Sequence, residues 1–368
     1  MQSMTEADDL RQAVREFLQA TSPPERVREL MDTDDGYDRA VWKQMAGQLG
    51  LHGIAIGEHF GGAGATMSEL AVVFEEMGAA LLCAPFFSTV ALAAHALQFS
   101  GDSEAMERYL PTLVDGSTTA TVILNGRLDP WDESALTLTV RRDSTDHRIN
   151  GTARYVVDGH TANLILAAAN TGLGPSLFAV SGDSEGLARE PLATLDRTRK
   201  VARLQFDDVP AQLIGTEGDA ATGLARTSNI ALVALAAEQT GAARRCLDMA
   251  VGYARERIQF GRAIGSFQAV KHRCADMLVA VEGAKSTVSH AAKIGDDLPV
   301  AASVAKMVCS DALLQVALDN MRIHGGIGFT WEHDAHLYVR RAKATALIFG
   351  TPDYHAQRLA TLVTSSQR

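Results

Sequence analysis

Cysteine is scarce: Cys83, Cys246, Cys274 and Cys309 are the only four in 368 residues. They are scattered without metal-ligand spacing, and three lie in apolar helical patterns where a buried free thiol is ordinary, so all four read as core. Basic clusters interleaved with aromatics are missing too. With a formal net charge of −10 this argues against a general nucleic-acid surface, while leaving room for a local cationic slot. No apolar run reaches the roughly 20 residues a membrane span needs, because Glu, Arg or Gly interrupts each one. The N-terminal MQSMTEADDLRQAVREFL carries acidic residues where an export signal has a basic region and an apolar core. A cytosolic, non-membrane protein is expected. Internal repeats and low-complexity tracts are absent, and 46% hydrophobic with 21% charged residues describes an ordered chain that buries a large core in two or three domains.

What is present changes period twice. From Ala7 to about Asp115 the pattern is helical, in stretches such as DDLRQAVREFLQA, DRAVWKQMAGQLG and MSELAVVFEEMGAAL, separated by Pro or Gly. From about Thr118 it alternates: TATVILNG, ALTLTVRR, RINGTARYVVDG, NLILAAA, SLFAVSG and VARLQFDDVP are short, β-branched and punctuated by Gly, Asp and Asn, which predicts an antiparallel β-domain. Near Gly223 it turns helical again and stays so. The glycine-rich Gly61-Gly62-Ala63-Gly64 is not followed by Lys-Ser/Thr, so its glycines are read as conformational rather than as a phosphate loop.

The stretch from Ala231 to Met277 organises the last part. Leu247, Ala250, Val251, Ala254 and Ile258 recur at helical spacing, while Arg244, Arg245, Asp248 and Arg255 take the other face. Gly261 and Gly265 are expected to stop that helix, and Phe267 restarts one. Their connection, Gln259-Phe260-Gly261-Arg262, sets an aromatic, a glycine and a charge close together.

Arg257-x-x-Phe260-Gly261 with Gln268, followed by His324-Gly325-Gly326-Ile327-Gly328-Phe329-Thr330, resembles the flavin-binding C-terminal domain of the acyl-CoA dehydrogenases. LGLHGIAIGEHFGGAGATMSELAVVFEEMG, HRINGTARYVVDG and LDRTRKVARLQFDDVPAQLIG resemble that family's N-terminal domain, its middle-domain hairpin and the strand leading out of it. The resemblance therefore spans nearly the whole chain. It implies an α+β fold with an N-terminal helical domain over 1–117, a middle antiparallel β-barrel domain over 118–222 and a C-terminal four-helix bundle over 223–368.

It further implies FAD as cofactor, an acyl-CoA substrate desaturated between its α and β carbons, an oligomer, and an electron-transfer flavoprotein as acceptor. Such chemistry needs a base for the α-proton, a flavin to take hydride from the β-carbon, and hydrogen bonds to the thioester oxygen. Arg257, Phe260 and Gln268 fall on positions that touch the FAD of a neighbouring subunit. Gly325 and Gly326 let backbone approach the dinucleotide. Arg322 stands where the family has Gln and could serve the pyrophosphate, Thr351 lies in the Gly-Thr motif, and Asp353 replaces the Gln that follows it.

The base is missing. The usual Glu precedes that Gly-Thr, and here the string is Ile348-Phe349-Gly350-Thr351; a minority of members carry it on the earlier helix, at what is here Ala231, followed by Leu232. Neither Phe349 nor Ala231 takes a proton. Glu238 lies about two turns, or roughly 10 Å, beyond Ala231, and reads as a capped or salt-bridged residue; Asp353 reads as a turn initiator. The middle domain departs as well, with Leu124-Asn125-Gly126-Arg127-Leu128-Asp129 where members pack on flavin and acyl chain, and Tyr155 where many carry Trp. His324, His333, His336 and His355 lack a carboxylate at ligand spacing, so no metal is expected.

Three functions remain open at this point. One is a base-lacking subunit that works with a Glu-bearing second acyl-CoA dehydrogenase chain, a type whose substrates include bulky groups such as steroid side chains. Another is a self-sufficient flavoenzyme with a relocated base or a different reaction. The third is a non-enzymatic scaffold that binds a CoA thioester or flavin.

Overall fold

The structure is a computed structural model that describes residues 2–125, 130–143, 146–295 and 298–365. In chain order its helices are α1 (Gln2–Thr21), α2 (Pro24–Leu30), α3 (Arg39–Gly47), α4 (Met67–Ala79), α5 (His95–Gln98) and α6 (Ser103–Val114). The strands β1 (Ala120–Ile123), β2 (Leu138–Asp143), β3 (Asp146–Val157), β4 (Leu164–Thr171), β5 (Gly174–Ser181), β6 (Leu187–Pro191) and β7 (Val201–Ile214) follow. Then come α7 (Ala221–Glu256), the short strands β8 (Ile258–Gln259) and β9 (Arg262–Ala263), α8 (Gln268–Ala291), α9 (Leu298–His324), α10 (Ala335–Leu347) and α11 (Pro352–Ser365).

Contacts group these elements into two compact units: residues 29–70 with 83–231, and residues 1–28, 71–82 and 232–368. In the first, β4, β2, β3, β7 and β5 close into a ring, because β5 returns to pair with β4; β1 and β6 attach outside it. The closure removes the free edges of those five strands. The interior is filled by Ile149, Ala153, Ile165, Phe178, Leu204, Phe206 and Val209, all buried. Along β7, Leu204, Phe206 and Val209 point in while Arg203, Gln205 and Asp207 point out, the alternation visible in the sequence. The barrel is not wholly antiparallel as expected, since β1 and β2 both pair parallel with β4. β4 tolerates this because Leu164 to Ala169 are apolar and small enough to be buried on both faces.

The second unit is helical. Its centre is α9, buried almost all round by Ala301, Ala302, Ala305, Cys309, Leu313, Val316 and Ala317. By length and composition α9 could cross a membrane, yet most of it is packed inside the unit. α8 buries only the stripe Met277, Val281, Ala284, Val288 and Ala291, and leaves Leu278 and Val279 in solvent. Cys274, on this same helix, is half-buried rather than core; the other three cysteines are buried. Among the described residues five helices, α7 to α11, make up the stretch from Ala221 to Ser365, Gly350 at φ +95° and Pro352 separating α10 from α11.

α4 and α7 touch backbone to backbone. A Cβ on Gly78 would lie 1.9 Å from the Glu238 carbonyl oxygen, and one on Gly241 would lie 1.7 Å from that of Glu75, so both glycines are obligatory. Beside this crossing Arg11, Arg15 and Arg244 converge on the buried Glu76 at 2.7–3.0 Å. Burial pushes the Glu76 carboxyl up, but these three arginines outweigh it and hold the group below the usual range.

Candidate functional site

The helix carrying the cofactor motif ends at Glu256, five residues before the expected stop at Gly261. Ile258 continues the apolar period but belongs to β8, where it is exposed. β8 and β9 form a hairpin joined by Phe260 and Gly261, at φ +53° and +75°, the two-residue turn with both φ positive that matches strand twist. Asn-Gly is the usual occupant; a phenylalanine there is strained. Phe260 is also 91% exposed. A strained aromatic held in solvent calls for a functional explanation.

The hairpin is braced around this tip. Ile264 N–H donates to the Arg257 carbonyl at 2.8 Å, Gly265 packs so closely that a Cβ would sit 2.8 Å from the Ala254 carbonyl oxygen, and Arg262 stacks 4.1 Å over Phe267. Arg257 is exposed, and its guanidinium makes no side-chain hydrogen bond or ion pair among the described residues. Gln268 opens α8 and is exposed as well.

One turn along α8, Arg273 reaches Asp319 of α9 at 3.1 Å, and Asp319 also accepts from Arg322 at 3.0 Å. Two guanidiniums share one carboxylate, which leaves net positive charge beside the start of α8. Gly325 and Gly326 follow at the end of α9, Gly325 at φ +65°, and a Cβ on either would meet nothing within 4 Å. His324 stacks on Tyr253 at 4.4 Å and lies 4.2 Å from His333, which fixes the approach to the glycine pair. Burial lowers the pKa of both histidines and so favours their neutral forms. Phe260 thus tips the hairpin that Arg257 precedes and Gln268 follows, Arg322 is tied to α8 through Asp319 and Arg273, and Gly325-Gly326 follows the end of α9.

Thr351 is not joined to that group by a contact among the described residues. Its Oγ accepts from the Tyr354 N–H at 3.2 Å and its carbonyl from the His355 N–H at 3.1 Å, which makes it the N-cap of α11, with Pro352 at the first helical position. Asp353 is exposed in the first turn of that helix, a favourable place for a solvated carboxylate.

Phe349, at the position where the resemblance leads one to expect the base, is buried at 7% exposure with φ +57°. The alternative position, Ala231, is fully buried and apolar. Glu238 is paired with Arg341 at 2.5 Å, both side chains buried, so the salt-bridged expectation holds and the carboxylate is engaged. Under the Phe349-Gly350 turn lie two residues whose role sequence reasoning missed. Lys306, wholly buried on α9, donates to the Gly350 carbonyl at 3.0 Å and to Ser310 Oγ at 3.1 Å, and His355 Nε2 donates to the Phe349 carbonyl at 2.8 Å. A lone lysine within SVAKMVCSDALL was the available signal. In the β-barrel unit, Tyr155 is exposed at φ +61° on a bulge of β3, and Asn125 donates to the Pro130 carbonyl at 2.8 Å; Gly126 to Asp129 lie outside the described residues.

Residues 4–117 match the acyl-CoA dehydrogenase N-terminal domain and residues 226–363 the acyl-CoA dehydrogenase C-terminal domain. Acyl-CoA dehydrogenase IpdE2 of Mycobacterium tuberculosis (strain ATCC 25618 / H37Rv) is 35% identical over 97% of this chain and 97% of its own length. The chain belongs to the acyl-CoA dehydrogenase family. Members of this family are flavoprotein oxidoreductases that act on CH–CH bonds. A variant of the Tcur3481-Tcur3483 steroid ACAD superimposes with a TM-score of 0.88 at 31% identity, covering 99% of both chains. The ChsE4-ChsE5 complex from Mycobacterium tuberculosis superimposes with a TM-score of 0.88 at 29% identity, covering 97% of both.

Proposed function

We propose that the chain binds FAD and takes part in α,β-desaturation of an acyl-CoA thioester as a base-lacking subunit, beside a Glu-bearing acyl-CoA dehydrogenase chain. The observation that carries this reading is the Phe349-Gly350 turn: its unusual backbone is kept, while the side chain that would take the α-proton is a phenyl ring. Glu238 is held by Arg341 and Asp353 is solvated, so neither is poised as a substitute.

The residues present fit the cofactor. Arg257 and Arg322 supply charge-assisted donors for a pyrophosphate, Phe260 offers an exposed ring to stack, Gln268 an amide, and the open Gly325-Gly326 backbone admits close approach. Thr351 completes the set at the head of α11. FAD when bound accepts the hydride from the β-carbon. This chain's own part is to hold the dinucleotide and exclude water, and the partner's carboxylate removes the α-proton.

The strained, exposed Phe260 and the apolar Val279 and Phe329, also in solvent, suit burial against a second chain. Both solved relatives above are named for two chains, one of them for a steroid, which favours a heteromer and a bulky acyl group. Electrons then pass to an electron-transfer flavoprotein, in the cytosol.

Steady-state turnover of the isolated chain on butyryl-, octanoyl- and steroid-side-chain CoA thioesters tests this. It should fall 10²–10⁴-fold below that of a Glu-bearing member assayed alongside, the usual worth of a general base. Robust turnover by the isolated chain overturns the reading. In a parallel titration Arg257→Ala should weaken FAD about tenfold or more, as loss of a charge-assisted bond requires.

A further inference from the structure

Phe349 and Gly350 form a left-handed turn at φ +57° and +95°. For phenylalanine that conformation costs roughly 1–2 kcal/mol, and it persists only where surrounding groups over-determine it. The chain has lost the carboxylate this turn would present, so acid–base chemistry no longer explains the strain. The turn is nevertheless fastened from below by two separate elements.

The first fastening is Lys306. Its ammonium donates to the Gly350 carbonyl at 3.0 Å, to the Ala346 carbonyl at 3.4 Å and to Ser310 Oγ at 3.1 Å, three acceptors for three protons; Asp311 acts on it only from beyond ion-pair distance among the described residues. Ser310 is fixed in turn by Gln239, whose amide also donates to Thr345 Oγ at 3.1 Å. Burial pulls the Lys306 pKa down to about 7, against the smaller opposing effects of Cys309 and Asp311.

The second fastening is His355, wholly buried on α11, whose Nε2–H donates to the Phe349 carbonyl at 2.8 Å. Burial lowers its pKa to about 4, so it is neutral and this tautomer is set by the bond it makes. A Cβ on Gly350 would lie 3.0 Å from the same Nε2 and 2.7 Å from Tyr354, so only glycine lets the ring reach the carbonyl. Two consecutive peptide oxygens are therefore each held by a buried donor from a different helix.

We infer that Lys306 and His355 are positioning residues that lock the 349–350 turn, one peptide oxygen each, in the geometry that receives a CoA thioester, so that this base-lacking site still binds one. The inference rests on the reading of the chain as a thioester-binding acyl-CoA dehydrogenase subunit. Their role is to orient backbone; both side chains are wholly buried.

The test uses flavin-loaded protein and two readouts, butyryl-CoA affinity from the perturbation of flavin absorbance, and amide hydrogen exchange in the peptide spanning 345–352. His355→Gln keeps a donor for the Phe349 carbonyl, whereas His355→Leu keeps bulk without one. His355→Leu and Lys306→Met should each weaken butyryl-CoA at least fivefold and speed exchange in that peptide about tenfold, with FAD affinity within twofold of wild type. His355→Gln should stay within twofold on both readouts. Equal behaviour of the Gln and Leu variants, or wild-type exchange in Lys306→Met, overturns the inference, because packing alone would then account for both residues. If wild-type protein fails to bind butyryl-CoA while exchange still separates the Gln and Leu variants, the thioester reading falls and the clamp stands.

Discussion

Replacing Glu238 by Gln removes the negative member of an ion pair whose two side chains are almost wholly buried and 2.5 Å apart. The guanidinium of Arg341 then stays buried in the helical unit but loses the Glu238 charge. Breaking a buried pair from one side costs about 3–5 kcal/mol, most of it the desolvation of the surviving charge. For a cooperative unit of this size that corresponds to a fall in Tm of about 6–20 °C. Arg341→Leu breaks the same pair without touching the carboxylate and should cost a similar amount. The double variant Glu238→Leu/Arg341→Met removes both charges and should recover to within about 2 kcal/mol of wild type, because paired burial contributes little net stability. Urea unfolding followed by circular dichroism measures all three, with turnover assayed under the same conditions in the presence of the proposed Glu-bearing partner. A Glu238→Gln variant within 1 kcal/mol of wild type would refute the claim that the carboxylate is there for Arg341. If that variant also lost turnover 10²-fold or more, Glu238 would be the base and the heteromeric reading would fail.

Phe260→Gly relieves the positive-φ strain at the hairpin tip, so the isolated chain should keep its stability within about 1 kcal/mol while FAD affinity drops severalfold; unchanged flavin affinity would remove Phe260 from the site. Gly241→Ala sets a methyl group 1.7 Å from a carbonyl oxygen and should cost about 3 kcal/mol or abolish soluble expression, whereas Gly252→Ala, whose Cβ would meet nothing within 4 Å, should be neutral or mildly stabilising by thermal melting. His336 and His355 have folded pKa values lowered by burial from 6.5 to about 4. Below pH 6.5 the unfolded chain takes up protons that the folded one refuses. Their contribution is therefore complete above pH 6.5 and lost as the pH falls toward 4, by up to roughly 3 kcal/mol each. Urea midpoints between pH 4.5 and 7.5 should fall less steeply in His336→Phe; an unchanged slope would exclude His336 as a source.

Much of the architecture was legible because it follows from period. The in-out alternation of β7 and the all-apolar β4 mark a barrel, and the order of helical and alternating segments places it in mid-chain. The helix end at Glu256 was not legible, since Ile258 continues the 3.6-residue period and only the turn chemistry of Phe260-Gly261 interrupts it. That neither Phe349 nor Ala231 can accept a proton could be read directly from the sequence. That Glu238 is engaged was expected too, but its partner could not be read, because Arg341 lies 103 residues away and nothing local announces it. Lys306 was passed over for a related reason: a single lysine on a helix reads as solvent-facing until the neighbouring helices are in place, and its acceptors come from α9 itself, the end of α10 and the turn before α11.

The crossing of Gly78 with Gly241 bears on how the gene can be divided. Sequence similarity ends one segment at residue 117 and begins the next at 226, as if the chain were assembled from exchangeable modules. The seam ignores those borders, since residues 71–82 belong with 232–368. A fragment starting at 226 would carry Gly241 facing water along a bare strip of helix backbone, and Arg244 without Glu76. Swapping the amino-terminal third for that of a relative would likewise succeed only where the donor brings a glycine and two acids in register. Similarity runs by segment, but folding runs across the seam, so an exchange between relatives is constrained at Gly78 and Gly241, where a Cβ would meet backbone carbonyl oxygen at 1.9 and 1.7 Å.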